Sequence, residues 1–232
     1  MTSPSTQATF PVLRHVLHAT ELSAESETAF AHAVRLAVAA EARLDVVHVD
    51  RRAHVMGWEE FPDVRETLVR WGLLPADPAE AKRLLEGLEI KKVAAYGTEP
   101  VAPLLAYLEE SLADLVVLAT HQREGLARWL HKEVAQKIVR ERPVSTLFIP
   151  IGVSGFVSPS TGVVSLKRVL LPVDWNPSPQ SAADAATTLA RTLRCSELEL
   201  TLLYVGSSDN PFPSVERREH PRLGVARAAR RR

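Results

Sequence analysis

The sequence predicts a doubly wound α/β fold, a five-stranded parallel sheet with helices on both faces, followed by a partial second copy of the same design. Three observations carry this prediction. Apolar runs of strand length alternate with stretches of helical periodicity, at the spacing of β-α-β units. The run "ADLVVLAT" (113–120) is apolar throughout its middle, as a strand buried on both faces should be. The opening segment also recurs later: "HVLHATELSAESETAFAHAVRLA" (15–37) aligns without gaps on "RVLLPVDWNPSPQSAADAATTLA" (168–190).

The first strand is "HVLHAT" (15–20), followed by polar "ELSAES", where Ser23 or Ser26 is expected to cap a helix. In that helix Ala29, Ala33, Leu36 and Ala37 share a face that would lie on a sheet. "LDVVHVD" (44–50) is the second strand, and strand, helix, strand at this spacing forms a right-handed crossover. A longer connection places Val64, Leu68 and Trp71 on one helical face, then Asp77 as cap with Pro78 in the first turn of another helix. "IKKVAAYG" (90–97) is the third strand, "PVAPLLAYLEESL" a helix, and "ADLVVLAT" the fourth strand. "VAQKIVRER" is a further helix and "VSTLFIPIG" (144–152) the fifth strand.

Residues 152–166 are rich in Ser, Gly and Val without helical periodicity and read as a linker. In the repeat that follows, identities fall at Val16/Val169, Leu17/Leu170, Ala29/Ala182, Ala33/Ala186, Leu36/Leu189 and Ala37/Ala190. "DVVHV" (45–49) finds its counterpart in "TLLYV" (201–205), after which turn formers and charges take over. The expected organisation is therefore a lead-in (1–12), a complete domain (13–151), a linker (152–166), a partial second domain (167–206) and a basic tail (207–232).

The formal net charge is zero, but the last sixteen residues hold seven arginines and one glutamate, leaving residues 1–216 at −6. No aromatic residues interleave those arginines, so the tail reads as a solvated end rather than a nucleic-acid contact. A single cysteine, Cys195, excludes an internal disulfide framework and suits a reducing cytoplasm. No apolar run approaches the roughly 20 residues of a membrane helix, and the first residues lack a secretion-signal pattern.

The segments "VLHATELSAESETA", "LDVVHVD", "ADLVVLATH…VAQKIVRERPVSTLFIP" and "RVLLPVDWNPSPQSA", in this order and spacing, resemble the universal stress protein (UspA-like) family in its tandem-domain form. The resemblance implies an adenine nucleotide alpha hydrolase-like sheet with strand order 3-2-1-4-5. It further implies a stress-linked, non-enzymatic role and association through the last strand, as a homodimer or as an internal pseudo-dimer. Some members of the family bind ATP.

Those members carry a Gly-x2-Gly-x9-Gly-Ser/Thr pattern after the fourth strand, which falls here on Ala119, Gln122, Lys132 and Glu133. The three glycines and the hydroxyl are all absent. The family's acidic residue after the first strand corresponds to Glu21, preceded by Ala19 and Thr20, and the residue whose backbone meets adenine corresponds to Val49. The base-facing half of the site fits, whereas the phosphate-facing half does not. Side chains at 122 and 132 occupy phosphate space, and Glu133 would repel an anion held at the helix start. The second copy keeps Asp174 but ends before any counterpart of the fourth strand.

No bound cofactor is therefore expected. An ATP-gated switch with an atypical loop and a weak ATP-hydrolysing enzyme are the rival readings. His18, His48 and His121 lie near the ends of adjacent strands but lack local metal-ligand spacing, and they read as packing residues rather than zinc ligands. No nucleophile elbow or Cys–His pair is present, and Cys195 reads as a quiet, partly buried thiol.

Overall fold

A computed structural model describes residues 12–50, 57–85, 88–98, 101–120, 144–173 and 180–204. The expected helix "VAQKIVRER", the loop before it and the basic tail lie outside these residues, as do Gln122, Lys132, Glu133, His121 and Asp174. The chain divides into two units, the larger spanning Leu13–Ser165 and the smaller containing the chain from Leu166.

The larger unit is built on five parallel strands, β1 (His15–Ala19), β2 (Arg43–Asp50), β3 (Ile90–Tyr96), β4 (Leu115–Thr120) and β5 (Ser145–Pro150). Their spatial order is β3-β2-β1-β4-β5, as the family resemblance implies. Central β1 pairs on both sides, with Val16 opposite Leu44 of β2 and Leu115 of β4. Side chains alternate between faces. On one face, Leu17, Val47, Val116 and Leu118 form a core with Leu104 and Leu108 of α4 (Val101–Ser111).

The other face packs against α1 (Glu27–Ala40). The stripe Ala29, Ala33, Leu36 and Ala37 is buried as the periodicity requires, but Ala31, His32 and Val34 are buried too. A surface helix should expose that second face. His32 is covered here by residues 153–165, part of the stretch expected to be a plain linker. Val157 and Val164 make an antiparallel bridge, Val157 is buried, and the Phe156 ring meets the His32 ring edge-on at 4.4 Å. Farther along, Trp71 Nε1 donates to the Pro159 carbonyl at 2.8 Å. We call this segment the strap.

The helix ends differ partly from expectation. Neither Ser23 nor Ser26 caps α1 through its side chain. A 3₁₀ turn, Ala24–Ser26, leads into the helix instead, and the Ser26 hydroxyl donates back to the Ser23 carbonyl at 2.7 Å. The hydroxyl is drawn into the turn before α1 starts, so it is not free to cap. The expected Asp77 cap is present: its Oδ1 accepts from Ala79 N and Glu80 N before α3 (Pro78–Leu85). Asp63, not singled out in the sequence, caps α2 (Val64–Arg70) in the same way, its Oδ1 accepting from Glu66 N at 2.9 Å.

The smaller unit contains β6 (Arg168–Val173), α5 (Gln180–Thr192) and β7 (Glu199–Tyr204). β6 and β7 pair in parallel, and Leu171 and Val173 pack with Ala186 of α5. This is the β-α-β unit the repeat predicts.

Candidate functional site

Of the eight residues predicted at the nucleotide edge, Ala19, Thr20, Glu21, Val49 and Ala119 are described. They gather at the carboxyl ends of β1, β2 and β4, the usual ligand edge of a doubly wound sheet. Most are committed to structure. Ala19 and Val49 are buried in the α4-side core, and Ala119, also buried, pairs with Ile149 of β5.

Thr20 is the hinge of the edge. Its N–H donates to the Val47 carbonyl at 2.9 Å, and its carbonyl faces His48 Nδ1 at 2.8 Å. Its buried hydroxyl accepts from Leu22 N at 3.0 Å and sits 3.2 Å from Ser26 Oγ. Leu22 therefore turns through the left-handed region at φ 60, where a branched side chain costs roughly 1–2 kcal/mol. Glu21 is half-buried and has no hydrogen-bond or ion-pair partner among the described residues.

Beside this turn lies a cavity of about 290 Å³, lined by Leu22, Ser23, Phe30, Phe61 and the carboxylate-bearing Glu27 and Glu60. Among the described residues no lysine or arginine lines it, and Glu27 is paired with Arg70 at 3.4 Å. Phosphate needs cations or free N–H donors, and the described lining offers carboxylates in their place. Next to it, His18 is fully buried, and its Nδ1 meets the Val117 carbonyl at 3.0 Å while its Nε2 has no partner. Burial lowers its pKa to about 4, against a small opposing effect from that carbonyl.

At the opposite end of the sheet stands a polar cluster that sequence reasoning did not find. Asp45 is fully buried; it accepts from Arg43 Nε at 2.7 Å, Arg43 NH2 at 3.0 Å and the Tyr107 hydroxyl at 2.7 Å. His15 Nε2 lies 3.0 Å from the same carboxylate, and His15 Nδ1 faces the Ser111 carbonyl at 2.9 Å. Burial alone would raise the Asp45 pKa, but the bonds from His15, Arg43 and Tyr107 outweigh it and bring it down to about 2. Tyr107 is pushed up, by burial first and then by its bond to Asp45. The signal was present as an aspartate inside an otherwise apolar strand, but its partners emerge only once β1, β2 and α4 meet. The cluster pins the end of α4 to the sheet and lies away from the ligand edge.

The five parallel strands in the order β3-β2-β1-β4-β5, with helices on both faces, define a doubly wound α/β protein. Residues 13–150 match the universal stress protein family, and the chain belongs to it. Solved structures similar to this chain include a universal stress protein UspA from Lactobacillus plantarum (20% identity, 60% of this chain and 99% of that one, TM-score 0.40). A universal stress protein from Archaeoglobus fulgidus in complex with dAMP is 18% identical over 60% of this chain and 99% of its own, with a TM-score of 0.36. Another universal stress protein, from Archaeoglobus fulgidus DSM 4304, is 13% identical over 84% of this chain and 67% of its own, with a TM-score of 0.46. No curated protein matches the chain. Among the described residues, no helix is long and apolar enough to cross a membrane.

Proposed function

We propose that this chain is a non-catalytic stress-response protein of the cytoplasm that works by protein association and carries a degenerate nucleotide site. The observation that carries the reading is the ligand edge itself. The Thr20 hydroxyl and carbonyl are consumed internally, and among the described residues the adjoining cavity is lined by two carboxylates, one of them paired with Arg70, and by no lysine or arginine. The sequence adds Gln122, Lys132 and Glu133 where phosphate-binding relatives have two glycines and a hydroxyl. ATP is thus not a resident cofactor in this reading, and the arginine-rich tail is not a nucleic-acid contact.

Association is assigned to β5, which ends the sheet and pairs only with β4 among the described strands. Its Phe148 is partly exposed, and an apolar edge strand favours pairing with another chain or with a repeat of its own. The partner surface is a second copy, or the second unit of the same chain acting as a pseudo-dimer.

Calorimetric titration of the purified chain with Mg-ATP tests the nucleotide half of this proposal. No saturable heat is expected. A dissociation constant tighter than about 10 μM, roughly −7 kcal/mol, would replace this reading with an ATP-gated switch.

A further inference from the structure

His32 occupies an unusual position for a histidine, on the outer side of α1 and yet fully buried, because the strap lies across it. Its two ring nitrogens have opposite partners. Nδ1 is 2.6 Å from the Thr28 carbonyl, which can only accept, so Nδ1 carries the proton. Nε2 receives two backbone donors from the strap, Phe156 N at 2.9 Å and Val157 N at 3.1 Å. Only an unprotonated Nε2 can accept them. A second proton on this ring would turn the shared acceptor into a donor aimed at two N–H groups, leaving three buried donors without a partner.

The strap is built for this close approach. Gly155, at φ +62, lies so near the His32 ring that a Cβ there would collide with it, and Gly162, at φ +68, is in the same relation to the Trp71 indole. The strap itself contains no charged residue from 153 to 165. We propose that residues 153–165 are a proton-released strap, latched onto α1 by neutral His32 and let go when that ring takes up a second proton, uncovering the outer face of α1 and Trp71.

Charges from the surrounding elements do not set the latch. The titratable and charged residues on the surrounding elements are Glu25 in the 3₁₀ turn, Glu27 and Arg35 on α1, Arg70 on α2, and His18, His48 and Asp50 on the sheet face beneath α1; β4 and β5 contribute none. Arg70 is paired with Glu27 at 3.4 Å. The His32 pKa is lowered from its ordinary 6.5 by burial, partly offset by the Thr28 carbonyl. The sign follows from this lowering. The docked strap keeps its full advantage above pH 6.5, and that advantage is lost progressively as pH falls towards the lowered value.

Hydrogen exchange of the full chain, followed by mass spectrometry between pH 7.5 and 5 and corrected for intrinsic rates, tests the latch. Protection of the 153–165 amides should fall as pH drops below 6.5, by up to about tenfold per pH unit, and at every pH it should stay below that of the β1 and β4 amides, which need a larger opening. In His32→Gln, strap protection should no longer depend on pH. Constant strap protection in the natural chain, strap protection equal to that of the β1 and β4 amides, or the same pH dependence in the variant would each overturn the proposal. Should the variant not fold, the imidazole nitrogen spectrum of the natural chain decides. An Nδ1–H neutral ring at pH 7.5 upholds the latch, and an Nε2–H or charged ring refutes it.

Discussion

β1 and β6 begin two copies of one sequence pattern, yet their equivalent leucines have opposite fates. Leu17 is 0% exposed and Leu170 is 57% exposed. β1 lies between β2 and β4 with α4 over Leu17, whereas β6 pairs only with β7 among the described strands. Burial is therefore decided by neighbours, which a strand's own residues do not specify. The helix ends, by contrast, are copied closely. Glu41 closes α1 at φ 53 and Arg194 closes α5 at φ 54, each a non-glycine in the left-handed region. Behind them Ala42 N reaches the Ala37 carbonyl and Cys195 N the Ala190 carbonyl, both at 2.9 Å. Cys195 thus holds the place of buried Ala42, and burial raises its pKa, which leaves it a poor nucleophile. A local backbone solution travels with the repeat; burial does not.

The paired leucines give the largest effect. Leu17→Ala should cost about 2–5 kcal/mol, whereas Leu170→Ala should stay within about 0.5 kcal/mol; a comparable fall in melting temperature for both would mean that Leu170 is covered in solution. The copies also diverge at the polar positions of the first core. His15, His18 and Asp45 correspond to Arg168, Leu171 and Thr201. If the Asp45 cluster belongs to the first unit alone, Asp45→Ala should destabilise it by about 1–3 kcal/mol by leaving the Tyr107 hydroxyl without its acceptor, while Thr201→Ala should cost less than about 1 kcal/mol. Chemical denaturation of each variant measures both, and equal losses would break the contrast.

Acid sensitivity sharpens the comparison further. The buried His18 has a pKa of about 4 against an ordinary 6.5, so its contribution is full above pH 6.5 and disappears as pH falls to about 4. The expected loss is about 3 kcal/mol across that window. His18→Leu, which installs the residue found in the second copy, should abolish that slope in denaturation midpoints taken at pH 7 and 4.5. A second acid step, from Asp45, lies lower, because its depressed pKa of about 2 keeps its contribution until pH falls below 3.8. The smallest effect is at the caps. Glu41→Gly and Arg194→Gly should each stabilise by about 0.5–1 kcal/mol, by relieving left-handed strain. Opposite signs for the two would show that the shared geometry does not reflect a shared energy.

Much of this was legible in the sequence. Strand boundaries, the order of elements and the Asp77 cap follow from alternation, periodicity and local hydrogen-bonding chemistry, all short-range properties. Strand order followed from family resemblance. What was not legible depends on long-range meetings. The strap looked like a linker because its Ser-Gly-Val composition gives no sign that His32 and Trp71, more than eighty residues earlier, would receive its backbone. The Asp45 cluster needs the β1–β2 register and the end of α4 together. Serines 23 and 26 have the right chemistry for an α1 cap, but a 3₁₀ turn claimed them first. At the candidate site, the positions of Ala19 and Val49 were foreseen, while their role as core residues followed only from the packing of α4.

The strap has a consequence for how far the two units can range from one another. While it is docked, only Leu166 and Lys167 separate the last residue of the larger unit from the start of β6. Thirteen freed residues would add a maximum span of about 45 Å. Any binding between units joined by that tether is an intramolecular event, whose effective concentration falls steeply as a flexible connection outgrows the gap it bridges. A single proton on His32 would thereby set the length of the leash between the end of the larger unit and β6.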